Sequence, residues 1–246
     1  MIVVVPVDPP RDRLVLSSLV EETSLSTADA TQLYEAATMD VLYAVASSGG
    51  DLLVNYRDEE TLPDGIDVEA PEAEVRELAH DTLGEDAELR FERQVGSTRA
   101  ARVGNTVTHL LTREDAASVG VLEPTAPLVA RTEIDGSAMS IRRNDVVLGP
   151  AGDGSVYLAA FAEPVDFTEA YETPALATLA RRGEAAELDV GFAPTIPTIE
   201  TELGLCATIA GIEARRAAGR PVPEATAAAL DDLGLGVADG PTLVRE

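Results

Sequence analysis

NDVVLGPAGDGSVYLAAF, residues Asn144 to Phe161, sets two short apolar runs on either side of a glycine-rich turn. Val146 to Gly149 reads as a buried strand and Ser155 to Phe161 as its partner, because each is a β-branched or aromatic run bounded by turn residues. Between them, Pro150-Ala151-Gly152-Asp153-Gly154 offers two glycines free to take positive φ and one carboxylate at the tip. Two readings stand side by side. Asp-Gly between apolar runs is a hairpin signal, whereas an acid on a rigid turn at a strand end is also well placed for chemistry. Asp153 is therefore the candidate catalytic residue, and Gly154 is a candidate for close backbone approach to a ligand.

Working outward, the chain alternates strand and helix patterns. Ile2 to Val7 is a continuous β-branched run, as expected of a strand buried on both faces of a parallel sheet. It ends in Pro9-Pro10-Arg11-Asp12-Arg13-Leu14, so Arg11 and Arg13 follow a carboxyl strand end, where guanidinium forks suit phosphate oxygens. Pairing with Asp8 and Asp12 is the equal alternative. Ser26 to Ser47 reads as a long helix with Ser26 as N-cap, Asp29 in its first turn and Leu25 as a hydrophobic staple. Asp51 to Tyr56 is a second strand, Glu72 to Leu83 a helix, and Leu89 to Phe91 a short strand. Gly96 and Ser97 open a helix running to about Leu111, with Gln94, free backbone amides and Arg102 near its start. That start is an anion site in principle, or a plain cap with exposed arginines.

Ser118 to Glu123 is a fourth strand, followed by a helix from about Arg131 to Arg143. Beyond Phe161, Asp166 to Tyr171 and Pro174 to Arg182 read as helices, Ala186 to Phe192 as a strand, and Glu200 to Ala218 and Glu224 to Leu233 as amphipathic helices. This order predicts an α/β fold: three layers, a mainly parallel sheet with helices on both faces. Residues 1–218 form the α/β domain and 219–246 a C-terminal helical appendage.

Composition narrows the function. The chain of 246 residues carries 44 acids against 18 bases, all of them arginine, for a formal net charge of −26. Such a charge repels nucleic-acid phosphates and suits a salt-rich cytoplasm, where screening shortens the reach of self-repulsion. No apolar run approaches the roughly 20 residues of a membrane span. Met1 leads directly into a strand without a basic segment, so a cytoplasmic location is expected. Cys206 is the single cysteine, and lies in an apolar run that suits a buried thiol. His80 and His109 have no partner at zinc-ligand spacing. P-loop, nucleophile-elbow and dinucleotide-fingerprint patterns are all missing.

Four segments taken together carry a resemblance over most of residues 1–210. VVLGPAGDGSVYLAAF is similar to VVLGPAxDGGYYLIGL, and Arg11-Asp12-Arg13-Leu14 stands in the place of Lys-Thr-Arg-Leu. Leu25 to Val45 follows the pattern of a first helix, and Gln94-x-Gly96 with Arg102-Val103 fits Gln-x-Gly and Arg-Met. The chain thereby resembles the glycosyltransferase-A type of nucleotide-diphospho-sugar transferase, in its bacterial and archaeal branch, with 2-phospho-lactate guanylyltransferase as a more distant relative. The resemblance implies a nucleotide or nucleotide-sugar ligand, with Arg11 and Arg13 on the phosphate side and Arg102 among the substrate-binding residues. It places Gln94 and Gly96 in the base pocket, and Thr125, Asp153 and Gly154 at the reacting end.

It also implies Mg²⁺ or Mn²⁺, held by the aspartate of a Gly-Ser-Asp-x-Pro turn and by an Asp-x-Asp-Thr segment. Here those positions fall at Thr125 and near Thr195-Ile196-Pro197-Thr198, without the acids that such cations require. No metal ligand is assigned; Glu123 and Asp153 are the nearest substitutes. The expectation is a nucleotidyl- or glycosyl-transferase homologue with weakened or lost metal-dependent catalysis. A non-catalytic nucleotide sensor or partner subunit is the alternative, and a purely structural α/β protein a third.

Overall fold

The first strand, β1 (Ile2–Val7), is the centre of the molecule because its side chains alternate between two cores. Val3, Val5 and Val7 enter the larger one, and Val4 enters the smaller. A strand apolar on both faces must be covered on both. The computed structural model describes residues 1–63, 65–66, 69–172, 174–238 and 240–245.

Chain order runs β1, α1 (Ser17–Glu22), α2 (Thr27–Ala46), β2 (Asp51–Tyr56), α3 (Pro71–Leu83), β3 (Arg90–Arg93), α4 (Arg99–Arg113) and β4 (Val119–Leu122). There follow α5 (Arg131–Ser140), β5 (Val146–Pro150), β6 (Val156–Phe161), α6 (Ala175–Ala185), β7 (Val190–Phe192), α7 (Glu202–Ala217), α8 (Glu224–Leu233), β8 (Leu235–Ala238) and β9 (Thr242–Arg245). Seven strands form one sheet in the order β3-β2-β1-β4-β6-β5-β7. Only β6 runs against its neighbours, pairing antiparallel with both β4 and β5. The Asn144–Phe161 stretch is thus a hairpin whose second strand slots between β4 and β5. All six remaining strands are parallel, so their carboxyl ends share one edge. The turn at Asp153 lies along that edge.

Residues of α2, α3, α7 and α8 pack with one face of β1, and residues of α4 and α6 with the other. The expected three-layer α/β architecture is what forms. Helix α2 starts where its sequence signals: the Ser26 side chain accepts from the Asp29 amide, and the Asp29 carboxylate accepts from the Ser26 amide. Among the described residues no helix is long and apolar enough to cross a membrane.

Several local expectations are corrected. Helix α4 begins at Arg99 with Thr98 as its cap, not at Gly96, which sits in a turn with φ 138°. A Cβ there would lie 2.9 Å from the Ala101 backbone, so the turn can fold tightly onto the helix only without a side chain. Residues Asp166–Tyr171 form turns rather than a helix, because the Asp166 carboxylate accepts from the Thr168 amide at 2.9 Å and Phe167 packs against Gly104. Helix α6 runs on to Ala185, which leaves only Val190–Phe192 as strand. The tail is not purely helical: β8 and β9 form an antiparallel hairpin after α8. Ala227, Ala229 and Leu230 of α8 belong to the larger core.

Candidate functional site

A cavity of about 280 Å³ opens where the carboxyl ends of β1 to β4 meet the first turn of α4. Strand ends contribute Asp8, Asn55, Gln94 and Glu123, and the helix contributes Arg99 and Arg102. Parallel strands deliver backbone and side chains to this edge without closing it, so ligands of such sheets bind there.

Gln94 and Arg102 form one unit of the hollow. Gln94 is only 4% exposed, its amide nitrogen donates to the Asn55 carbonyl at 2.8 Å, and its amide oxygen accepts from Arg102 Nε at 2.7 Å. The glutamine is thereby held on both sides and acts as a bracket for the guanidinium. Arg102 has no carboxylate within ion-pairing distance among the described residues. Burial, and then the neighbouring charges of Arg57 and Arg99, push its pKa below the ordinary arginine value, against an opposing pull from Asp8. An arginine in that state is short of negative charge.

A second cluster lies beside it. Glu123 is 4% exposed at the end of β4 and is ion-paired with Arg99. Burial pushes the Glu123 carboxyl above its usual range, Arg99 pulls it down, and the charges of Glu200 and Asp8 push it up again. Arg99 itself is held above the ordinary arginine value, chiefly by Glu123 and further by Glu200. Its guanidinium stands 5.5 Å over the Tyr171 ring. Thr125 donates its hydroxyl to Glu200 at 3.1 Å, and its carbonyl accepts from the Ile199 amide at 2.9 Å. Thr125 therefore meets the two residues that directly follow the Thr195–Thr198 segment, Ile199 and Glu200.

Gln94, Arg102 and Thr125 line the cavity, as does Glu123. Gly96 lies just behind Gln94 and allows the turn into α4. Arg11 and Arg13 line a different surface: Arg11 is exposed and ion-paired with Glu74 of α3, and Arg13 is exposed with φ 68°. Asp153 is exposed, and its carboxylate accepts from the Ser155 amide at 2.9 Å, which fixes the hairpin turn. Gly154 packs toward Pro174 at the start of α6. Neither residue borders the cavity. Sequence reasoning passed over Arg99, Glu200, Asp8 and Asn55 as site residues. Arg99 had a signal, being an arginine in the first turn after a strand end, but Glu200 had none beyond its acidity.

The divalent cation implied by the resemblance needs several hard oxygen donors around one point. Among the described residues no three Asp, Glu, His or Cys side chains gather in that way. Glu123 is taken by Arg99, and Thr125 spends its hydroxyl on Glu200. The donor set does not fit such an ion.

No protein-family model matches this sequence, and no curated protein matches it. Among solved structures, a protein provisionally assigned as a nucleotide-diphospho-sugar transferase, from Desulfovibrio desulfuricans G20, superposes with a TM-score of 0.72 at 18% identity, covering 94% of each chain. A cytidylyltransferase from Leptospira borgpetersenii serovar Hardjo-bovis superposes with a TM-score of 0.53 at 8% identity, covering 94% of this chain and 93% of that one. The chain has the nucleotide-diphospho-sugar transferase-like fold.

Proposed function

We propose that this protein binds a nucleotide or nucleotide-sugar in the hollow above β1 to β4, as a transferase of the nucleotidyl or glycosyl kind. One observation carries the reading: Arg102, bracketed by Gln94 through Nε, has no carboxylate partner for its two amino groups among the described residues. A guanidinium with two adjacent unpaired N–H groups matches two oxygens of a phosphate. In this reading Arg102 takes the phosphate chain and Gln94 holds Arg102 in register. The edge formed by Asn55 and Asp8 is polar enough to hydrogen-bond a base or ribose. Transfer would consist of attack by an acceptor oxygen on phosphorus or an anomeric carbon, with fixed positive charge stabilising the leaving phosphate. The likeness of the fold to a cytidylyltransferase supports the ligand class.

Titration calorimetry of the protein in molar KCl, against a panel of nucleoside triphosphates and nucleotide-sugars, tests the reading. At least one ligand should bind, and Arg102→Ala should weaken it by about tenfold or more, the worth of a charged hydrogen bond. No binding by any member of the panel would sink it. The positions of Thr125, Thr195 and Pro197 favour a second reading, a nucleotide sensor without turnover. Formation of product from a bound nucleotide and an acceptor would rule that out.

A further inference from the structure

We infer that Arg99 takes the place of a divalent cation in this hollow, so that phosphate-bearing ligands are held without any metal. The inference rests on the proposed nucleotide site and deepens it. Its ground is one ion pair: a carboxylate buried to 4% exposure at the end of a strand, Glu123, is neutralised by a guanidinium from the next-door helix. A second carboxylate, Glu200, is fixed to Thr125 at 3.1 Å and adds its charge to the field around Arg99. Two carboxylates held rigidly around one centre create a strong local negative potential, and in this molecule the centre is a guanidinium.

The arrangement is built rather than incidental. Thr98 caps α4 by accepting from the Ala101 amide at 3.1 Å, which fixes the first turn carrying Arg99. The Tyr171 ring supports the guanidinium from the side of the Val165–Glu172 segment. Arg102 follows one turn later on the same helix and lines the same cavity. A guanidinium bound to a carboxylate along one edge still has N–H groups to offer along another. A phosphate chain lying across Arg99 and Arg102 would therefore meet two fixed cations, the charge that a metal would otherwise supply.

Two measurements decide the matter. The first is nucleotide titration of the wild-type protein in molar KCl with EDTA, repeated with Mg²⁺ and with Mn²⁺. The dissociation constant should agree within about twofold across the three, and Arg99→Ala should weaken metal-free binding by about tenfold or more. Nucleotide binding that demands Mg²⁺ or Mn²⁺ overturns the inference. The second is Mn²⁺ binding followed by electron paramagnetic resonance, without nucleotide, in the same salt. Wild-type protein and Glu123→Gln should show the same Mn²⁺ binding, because Arg99 already neutralises that carboxylate. Mn²⁺ bound by the wild type and lost in Glu123→Gln also overturns it. If no nucleotide binds under any condition, the proposed function fails while the Mn²⁺ result still decides the role of Arg99.

Discussion

Gln94 illustrates how one buried amide sets the charge state of a cavity. Its nitrogen is committed to the Asn55 carbonyl and its oxygen to Arg102, so it anchors the guanidinium and contributes no charge of its own. Gln94→Leu should leave a buried carbonyl and an Nε–H short of partners, at about 1–3 kcal/mol, read as a lower melting temperature. Gln94→Glu tests the charge of Arg102 directly. The glutamate still accepts from Arg102 but gives it a carboxylate partner, which converts a free cation into an ion pair. Nucleotide affinity should then fall by about tenfold or more, and stability should fall too, because a carboxylate has no N–H for the Asn55 carbonyl. Unaltered affinity in Gln94→Glu would mean that Arg102 does not face the phosphates. The residues also mark how far the site could be read in advance. Gln94 and Arg102 were legible from their places before and within the helix that follows β3, and Thr125 from the family resemblance. Arg11 and Arg13 follow a strand end, yet the loop after β1 turns them toward α3 and solvent. Glu200 became visible only through a contact spanning most of the second half of the chain.

Among the elements, α2 is the clearest case of local sequence agreeing with the fold. Ser26 and Asp29 cap each other's backbone, and Asp29 is tied further to Arg245 of β9 at 2.9 Å. Burial opposes ionisation of Asp29, but the hydrogen bonds from Ser26 and Arg245 outweigh it and hold the carboxyl below its usual range. A lowered pKa in the folded state means stability that is present above the unfolded value, roughly 3.9, and lost as pH falls below it. Asp29→Ala should therefore cost about 1 kcal/mol near neutral pH, about 2–4 °C in melting temperature, and the gap to wild type should close below roughly pH 4. A gap that persists unchanged into acid would show that the carboxylate charge is irrelevant. The β1, β2, β4 and hairpin strands were equally legible, because their apolar runs have no competing pattern. The failures were elements decided by distant contacts. Asp166–Tyr171 has helical composition but is pinned as turns by the Asp166 carboxylate and by Phe167 against Gly104. The β8–β9 hairpin is short and only partly buried, so no alternation long enough to recognise exists in its sequence.

For the molecule as a whole, electrostatics sets the conditions under which all of this holds. Half of the basic side chains, nine of 18, are in ion pairs among the described residues, yet 44 acids leave a formal net charge of −26. Two opposing effects of salt must be weighed. Exposed ion pairs are worth only about 0–1 kcal/mol each, and salt weakens them. Repulsion among the excess acids acts between every pair within a Debye length, about 10 Å at 0.1 M and about 3 Å at 1 M, and salt weakens it as well. Because unpaired acids far outnumber ion pairs, relief of repulsion should win, and the folded state should gain stability as KCl rises from about 0.1 to about 1 M. Thermal unfolding followed by circular dichroism across that range should give a steadily increasing melting temperature. Sucrose supplies the control, since it strengthens burial by exclusion from the surface without screening charge. A melting temperature that is flat or falling in KCl, or a rise that sucrose reproduces in full at low salt, would show that charge repulsion does not govern the fold.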